Sequence, residues 1–303
     1  MPAIQVFYSP DYVMSEYAFD TTRKAQWIAE SLESTPIPGI ELVAPAPLKR
    51  ADILAVHSPE YARAVETGEP RSLAESQGFE WDAGLYPMAL ASCGGMVTAA
   101  RTALEQGVSG SLSSGFHHAG YGSGNGFCTF NGLILAAKAA QAVGAERILI
   151  LDLDAHCGGG TASLIEDEPG IWQFGVAVWN YDNYYETERA RLRVIRDSSQ
   201  YLPTIRQVLQ EIERLEPFHL CLYNAGMDPC ESAWYSPGAP SGGSAGITSE
   251  VLAEREKLVF GWCTERQLPV AFALAGGYVG SQLDQQGLVA LHRLTLESAA
   301  TNK

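Results

Sequence analysis

Residues 148–162 read "ILILDLDAHCGGGTA". A run of Ile and Leu acquires Asp152, Asp154 and His156, then dissolves into three glycines. On an extended chain, side chains at i, i+2 and i+4 share a face. Ile148, Ile150, Asp152, Asp154 and His156 therefore form one row, and Leu149, Leu151 and Leu153 the other. Both rows begin apolar, as in a parallel strand covered by helices on its two sides. Carboxylates crowded at the end of such a strand are costly unless something positive compensates them. A metal ion does so economically, because carboxylate oxygen and imidazole nitrogen suit a borderline cation such as zinc. From these residues alone, a salt-bridged strand end with a satisfied histidine reads equally well.

The chain has 303 residues, 46% of them apolar, which suits one large α/β domain spanning 1–303. The opening "MPAIQVFYSPDY" has no basic stretch followed by an apolar core, so no secretory signal is expected. The longest charge-poor window, "AGLYPMALASCGGMVTAA", carries Pro87, Gly94 and Gly95 and reads as a buried helix, not a membrane span. Six cysteines, at 93, 128, 157, 221, 230 and 263, form no CxxC pair and sit largely in apolar runs. They read as reduced core residues of a cytoplasmic protein. With 20 Lys and Arg against 35 Asp and Glu, the formal net charge is −15. That argues against nucleic acid as a partner and favours cationic small molecules or basic peptides.

Apolar runs at 4–9, 53–57, 147–156, 172–179, 219–226 and 269–277 read as strands, and 84–106, 130–143, 199–215 and 248–266 as helices. Thr248 is the expected N-cap of the last. Their alternation predicts a central parallel sheet with helices on both faces, whose ligands bind at the carboxyl ends of strands. Three more strand ends carry unusual chemistry: "SGFHHAGYGSGNGFCTFN" presents His117 and His118, "LYNAGMDPC" delivers Asp228, and "ALAGGYVG" delivers Tyr278. Singly, each has a plain structural explanation, such as Asp228 capping a turn. Together they supply the parts of a metal hydrolase.

These residues resemble the histone deacetylase and acetylpolyamine amidohydrolase superfamily, whose fold is of the arginase/deacetylase type. The resemblance runs from "FDTTRKAQWI" and "VHSPEYARAV" through the His-His block with "GFCTFN" to "DLDAHCGGGT", "LYNAGMD" and "GGY", and is strongest to the class IV branch. It implies one zinc ion held by Asp154, His156 and Asp228. It implies His118 as general base and then acid, and His117 beside it paired with Asp152. Tyr278 would donate a hydrogen bond to the developing oxyanion. Gly126, Phe127, Gly276 and Gly277 would line a narrow tunnel. The implied substrate is an acylated amine, on a lysine or a polyamine.

Departures from the family pattern stand out. Gly159 occupies the position of the usual Asp or Asn, so His118 is expected to lack its usual support. The resemblance also implies a structural monovalent cation such as K+, yet Ala177 stands where a serine often helps to hold it. The arginase branch uses two manganese ions, but Gly158 replaces the aspartate that would help bridge them. A catalytically inactive acyl-lysine-binding member is a further alternative, opposed by the presence of His118 and Tyr278. Finally, the place of a leucine that often guards the tunnel falls near Ser244 or Ala245, which predicts a roomier acyl pocket unless Tyr181, Tyr184 or Tyr185 fills it.

Overall fold

Among the described residues, eight strands pair in the order β2-β1-β3-β8-β7-β4-β5-β6, and every pairing between them is parallel. They are β1 (Ile4–Phe7), β2 (Ile40–Val43), β3 (Val108–Ser111), β4 (Ile148–Asp152), β5 (Ile171–Ala177), β6 (Ala190–Val194), β7 (Leu220–Asn224) and β8 (Val270–Ala273). Among the described residues, ten α-helices connect them: α1 (Asp20–Ser34), α2 (Arg50–Ile53), α3 (Pro59–Thr67), α4 (Arg71–Ala74), α5 (Leu85–Gln106), α6 (Gly132–Gln141), α7 (Gly159–Leu164), α8 (Tyr201–Ile212), α9 (Ser249–Glu265) and α10 (Gln285–Thr301). This is a computed structural model, and it describes residues 3–215, 217–233 and 244–302.

The two rows expected of β4 separate as the pleat demands. Leu149, Leu151 and Leu153 pack in a core layer with Ile28 of α1, Ile205 of α8, Leu252 of α9 and Leu296 of α10. Ile148 and Ile150 face the other way, into a layer with Met96 of α5 and Ile134 of α6. Truncating the fully buried Leu151 to Ala should cost about 2–5 kcal/mol through lost burial and the cavity left behind.

Several elements differ from expectation. The strand expected at 147–156 ends at Asp152, so Asp154 and His156 lie beyond it on the departing chain. Residues 53–57 are not a strand. Asp52 Oδ2 accepts the Lys49 N–H, and the Ile53 carbonyl accepts from Val56 and His57, giving a helical turn that buries Ile53 and Val56 at a spacing of three. The strand β3, "VSGS", was hidden by its small residues. At Gly110 a Cβ would overlap the ring of Phe272 on the neighbouring strand, so a bulky β-former has no room. Thr248 does occupy the N-cap of α9, but its hydroxyl donates to Glu250 Oε2 at 2.6 Å and caps no backbone N–H. All six cysteines are free and buried.

The strand order places the chemistry. β3, β8, β7 and β4 are consecutive in the sheet, and their carboxyl ends lead respectively to the His-His loop, Tyr278, Asp228 and the Asp154–His156 pair.

Candidate active site

One ligand atom from each of Asp154, His156 and Asp228 lies within 4.8 Å of the others. Each carboxylate is anchored by one oxygen to the backbone of another strand end. Gly276 N–H donates to Asp154 Oδ2 at 2.8 Å, and Ala155 N–H donates to Asp228 Oδ1 at 3.0 Å. The remaining oxygens face the imidazole: His156 Nδ1 is 2.9 Å from Asp154 Oδ1 and 3.3 Å from Asp228 Oδ2. Asp228 Oδ2 is buried and makes no hydrogen bond among the described residues. Two convergent carboxylates, one of them with an orphaned oxygen, and an imidazole nitrogen fit a divalent cation that accepts N and O ligands. Gly276 must be glycine for this cradle, because a Cβ there would overlap the Asp228 carboxylate.

The electrostatics tell the same story. Burial pulls His156 down, but the Asp154 and Asp228 carboxylates outweigh it and raise its pKa to about 10. Burial and the Asp154 charge hold Asp228 above the usual carboxylate range. Asp154 is held well below it, since His117 and His156 overcome its burial.

His117 and His118 lie with ring centroids 3.9 Å apart, and each has its own carboxylate. His117 Nδ1 donates to Asp152 Oδ2 at 2.8 Å, while Asp152 Oδ1 accepts from Asn224 Nδ2 at 2.9 Å. His118 Nδ1 donates to Asp182 Oδ2 at 2.7 Å. The expectation that Gly159 leaves His118 unsupported is therefore corrected: Asp182, from the loop after β5, supplies the partner. Their pKa values part. Burial lowers His117, but Asp152 and Asp154 raise it to about 9, whereas burial and then the charge of His117 lower His118 to about 4.

A cavity of about 350 Å³ opens onto these groups, lined among others by Phe127, His118, His156, Trp179, Tyr181 and Tyr278. Gly126 and Phe127 both take positive φ, 49° and 65°, at its wall. At Gly126 a Cβ would overlap the His118 ring, so the loop can pass this close only as glycine. Gly276 and Tyr278 also border a smaller inner cavity with Thr21 and Ser114. Gly277 instead packs against Leu288 and His292 and lines neither cavity. Burial, followed by the Asp228 and Asp154 charges, pushes the Tyr278 hydroxyl well above its ordinary pKa and keeps it protonated. Ser244 is buried and Ala245 exposed, and neither lines the large cavity, whereas Tyr181 does. The preceding part of the "YSPGAPSGGSAG" loop, 235–243, lies outside the described residues. Ala177 ends β5 fully buried and offers no side-chain oxygen.

Sequence reasoning missed two buried cations near the site. Lys24 Nζ donates to Thr21 and Ser114, and burial lowers it to about 7 against the opposing pull of Asp228 and Asp154. Arg255 Nη1 donates to the carbonyls of Leu153 at 3.1 Å and Gly226 at 2.7 Å. One guanidinium thus ties together the chain just before Asp154 and the chain just before Asp228.

The histone deacetylase domain model matches residues 18–294. The chain belongs to that family. It is 31% identical to an uncharacterized protein of Picosynechococcus sp., over 90% of this chain and 91% of that one. It is 26% identical to Histone deacetylase 2 of Arabidopsis thaliana, over 82% of this chain and 68% of that protein. A shorter match, 34% identical over 39% of this chain and 19% of the other, is to human Polyamine deacetylase HDAC10. The fold superposes on the crystal structure of the HDA15 HD domain with a TM-score of 0.76 at 19% identity, covering all of this chain and 91% of that one. Among the described residues, no helix is long and apolar enough to cross a membrane.

Proposed function

We propose that this protein is a zinc-dependent amidohydrolase that removes an acetyl or longer acyl group from an amine, on a lysine or a polyamine. The observation that carries the reading is the convergence of Asp154, His156 and Asp228 at the end of a cavity that also presents His118 and Tyr278. Asp154, His156 and Asp228 would hold the ion. When bound there, zinc supplies a water of lowered pKa and polarises the substrate carbonyl.

The rest falls to side chains. His118, held neutral by burial, accepts the proton of the attacking water and returns it to the departing nitrogen. Tyr278, kept protonated, donates a hydrogen bond to the carbonyl oxygen as negative charge builds on it. His117 and Asp152 form a fixed, charged pair behind His118 that discourages a second positive charge on it. Phe127, Trp179 and Tyr181 supply an apolar passage for the amine's carbon stem. An acidic protein, at a formal −15, draws cationic carriers such as polyamines or basic peptides towards it.

A two-manganese reading is opposed by Gly158. Its φ is 70° and a Cβ there would sit 2.5 Å from Asp152 Oδ2, so no carboxylate fits where a second ion would need one. The test is metal analysis of the purified protein beside hydrolysis of an acetyl-lysine peptide and an acetylated polyamine. One zinc per chain with turnover of either substrate is expected. Two equivalents of manganese in the active protein would restore the ureohydrolase alternative, and zinc without turnover the inactive binder.

A further inference from the structure

We propose that Asp182 is the positioning residue for His118, a carboxylate delivered by the loop after β5 into space that residue 159 therefore cannot use. The proposal rests on the reading of His118 as the proton-transfer group. His118 is buried, and its Nδ1 donates to Asp182 Oδ2 at 2.7 Å. A carboxylate with no proton can only accept, so the ring carries its proton on Nδ1 and its Nε2 lone pair is left for substrate chemistry. The same Oδ2 accepts the Gly160 N–H at 3.2 Å, which locks the carboxylate against the first turn of α7.

Residue 159 explains why the carboxylate comes from elsewhere. A Cβ built on Gly159 would lie 2.6 Å from the Asp182 carbonyl oxygen and 2.7 Å from Asp182 Oδ1. Gly159 has no positive φ, so its backbone would accept any residue; the obstacle is Asp182 itself. The loop that delivers Asp182 fills the volume beside the imidazole with backbone as well as side chain, so a side chain at 159 fits only if that loop moves.

The loop is shaped for the task. Asp182 has φ 55°, a left-handed conformation that costs a non-glycine residue energy and tends to persist where function requires it. Tyr181 on its amino side is fixed twice: its carbonyl accepts the Cys157 N–H at 3.0 Å, and its hydroxyl donates to Asn125 Oδ1 at 2.6 Å. Asp182 thus reaches His118 from a braced turn. Asp182 does not itself line the cavity, and among the described residues no hydrogen bond joins it to the three candidate ligands, so its link to the reacting groups runs through His118.

The experiment compares the zinc-loaded wild type with Asp182→Asn, Asp182→Gly and Gly159→Asp. Readouts are kcat and KM on an acetyl-lysine peptide, zinc content, thermal melting, and the ¹⁵N resonances of the His118 ring. Asp182→Gly should lower kcat about 10- to 100-fold, the usual scale for groups that orient a site residue, with KM and zinc content unchanged. Asp182→Asn keeps an acceptor oxygen for the Nδ1–H and should retain more turnover than Asp182→Gly. Gly159→Asp should also lose turnover, by pushing aside the loop that carries Asp182. Wild-type kcat in Asp182→Gly would overturn the proposal. The nitrogen spectrum separates it from the functional reading. If the wild type shows the Nδ1–H ring and Asp182→Gly loses it while neither turns over substrate, the positioning stands and the function falls. An unchanged ring in Asp182→Gly refutes the positioning whatever the activity.

Discussion

The site has two halves built on different principles. One half is the sheet edge, where β4, β7 and β8 end: Asp152, Asp154, Asp228 and Gly276 interlock through Asn224 Nδ2 and the N–H groups of Ala155 and Gly276, and Arg255 clamps the two segments that carry Asp154 and Asp228. The other half is two loops, 114–131 and 178–187, which bring His118, Phe127, Tyr181 and Asp182 over that edge. The adjacent histidines straddle the boundary. His117 takes its carboxylate from a strand and His118 takes its own from a loop. Groups on the sheet edge are therefore tied to the stability of the core, whereas groups on the loops can change chemistry with little cost to the fold.

The largest effect should come from removing a ligand on the sheet edge. Asp228→Ala is expected to abolish zinc retention and to reduce turnover by more than about 1,000-fold, since metal and oxyanion stabilisation go together. Zinc held at full stoichiometry in that variant would mean the edge is not the metal site. Next, the two histidine partners should part company. Asp152→Ala strands the His117 Nδ1–H and the Asn224 amide in the interior and should cost about 3 kcal/mol or more of stability. Asp182→Ala, part-exposed on its loop, should cost about 1 kcal/mol while still damaging turnover. Urea denaturation of both variants decides it, and equal losses would erase the distinction between the halves.

Legibility followed the same divide. The sheet half was readable because Asp152, Asp154 and Asp228 interrupt or follow apolar runs, where a charge demands an explanation. The family resemblance then assigned their partners. Asp182 was not readable, because in "WNYDNYYE" an aspartate looks like any polar loop residue, and it meets His118 only where the loops after β3 and β5 both dock on the chain that follows β4. Arg255 and Glu256 were hidden differently. In "AEREKL" they look like a solvated helix face, yet both are fully buried, paired with each other and with Tyr201 and Tyr223. β3 was missed because small residues make a strand only when a neighbour such as Phe272 fills the space above them.

A smaller effect should expose how the His-His loop is anchored. His57 is buried, donates from Nδ1 to the Gly120 carbonyl at 2.8 Å and accepts the Asn131 N–H on Nε2 at 2.9 Å. Both ring nitrogens are used, so protonation breaks a contact, and burial lowers its pKa from 6.5 to about 4. The unfolded chain takes up a proton near pH 6.5 and the folded one only near 4. Stability from this residue is thus complete above about pH 6.5 and is lost as pH falls towards 4, by up to about 3 kcal/mol. Wild type should lose more stability than His57→Gln between pH 7 and pH 4.5. Parallel losses would show that the loop is held by something else.

The smallest effect tests the loop half as a wall. Tyr181 lies edge-on to the His118 ring, with centroids 5.1 Å apart, and its hydroxyl bridges to Asn125 across the cavity. Tyr181→Phe removes one part-exposed hydrogen bond and should cost no more than about 1 kcal/mol, leaving zinc content untouched. Tyr181→Ala removes the wall as well. If an acyl chain runs past this ring, each methylene it can newly bury is worth about 0.8 kcal/mol, roughly fourfold in kcat/KM. The ratio of kcat/KM for octanoyl-lysine to that for acetyl-lysine should then rise at least about tenfold in Tyr181→Ala and stay near wild type in Tyr181→Phe. A ratio unmoved by Tyr181→Ala would place the acyl chain away from this ring, and Tyr181 would then serve only to brace the turn that carries Asp182.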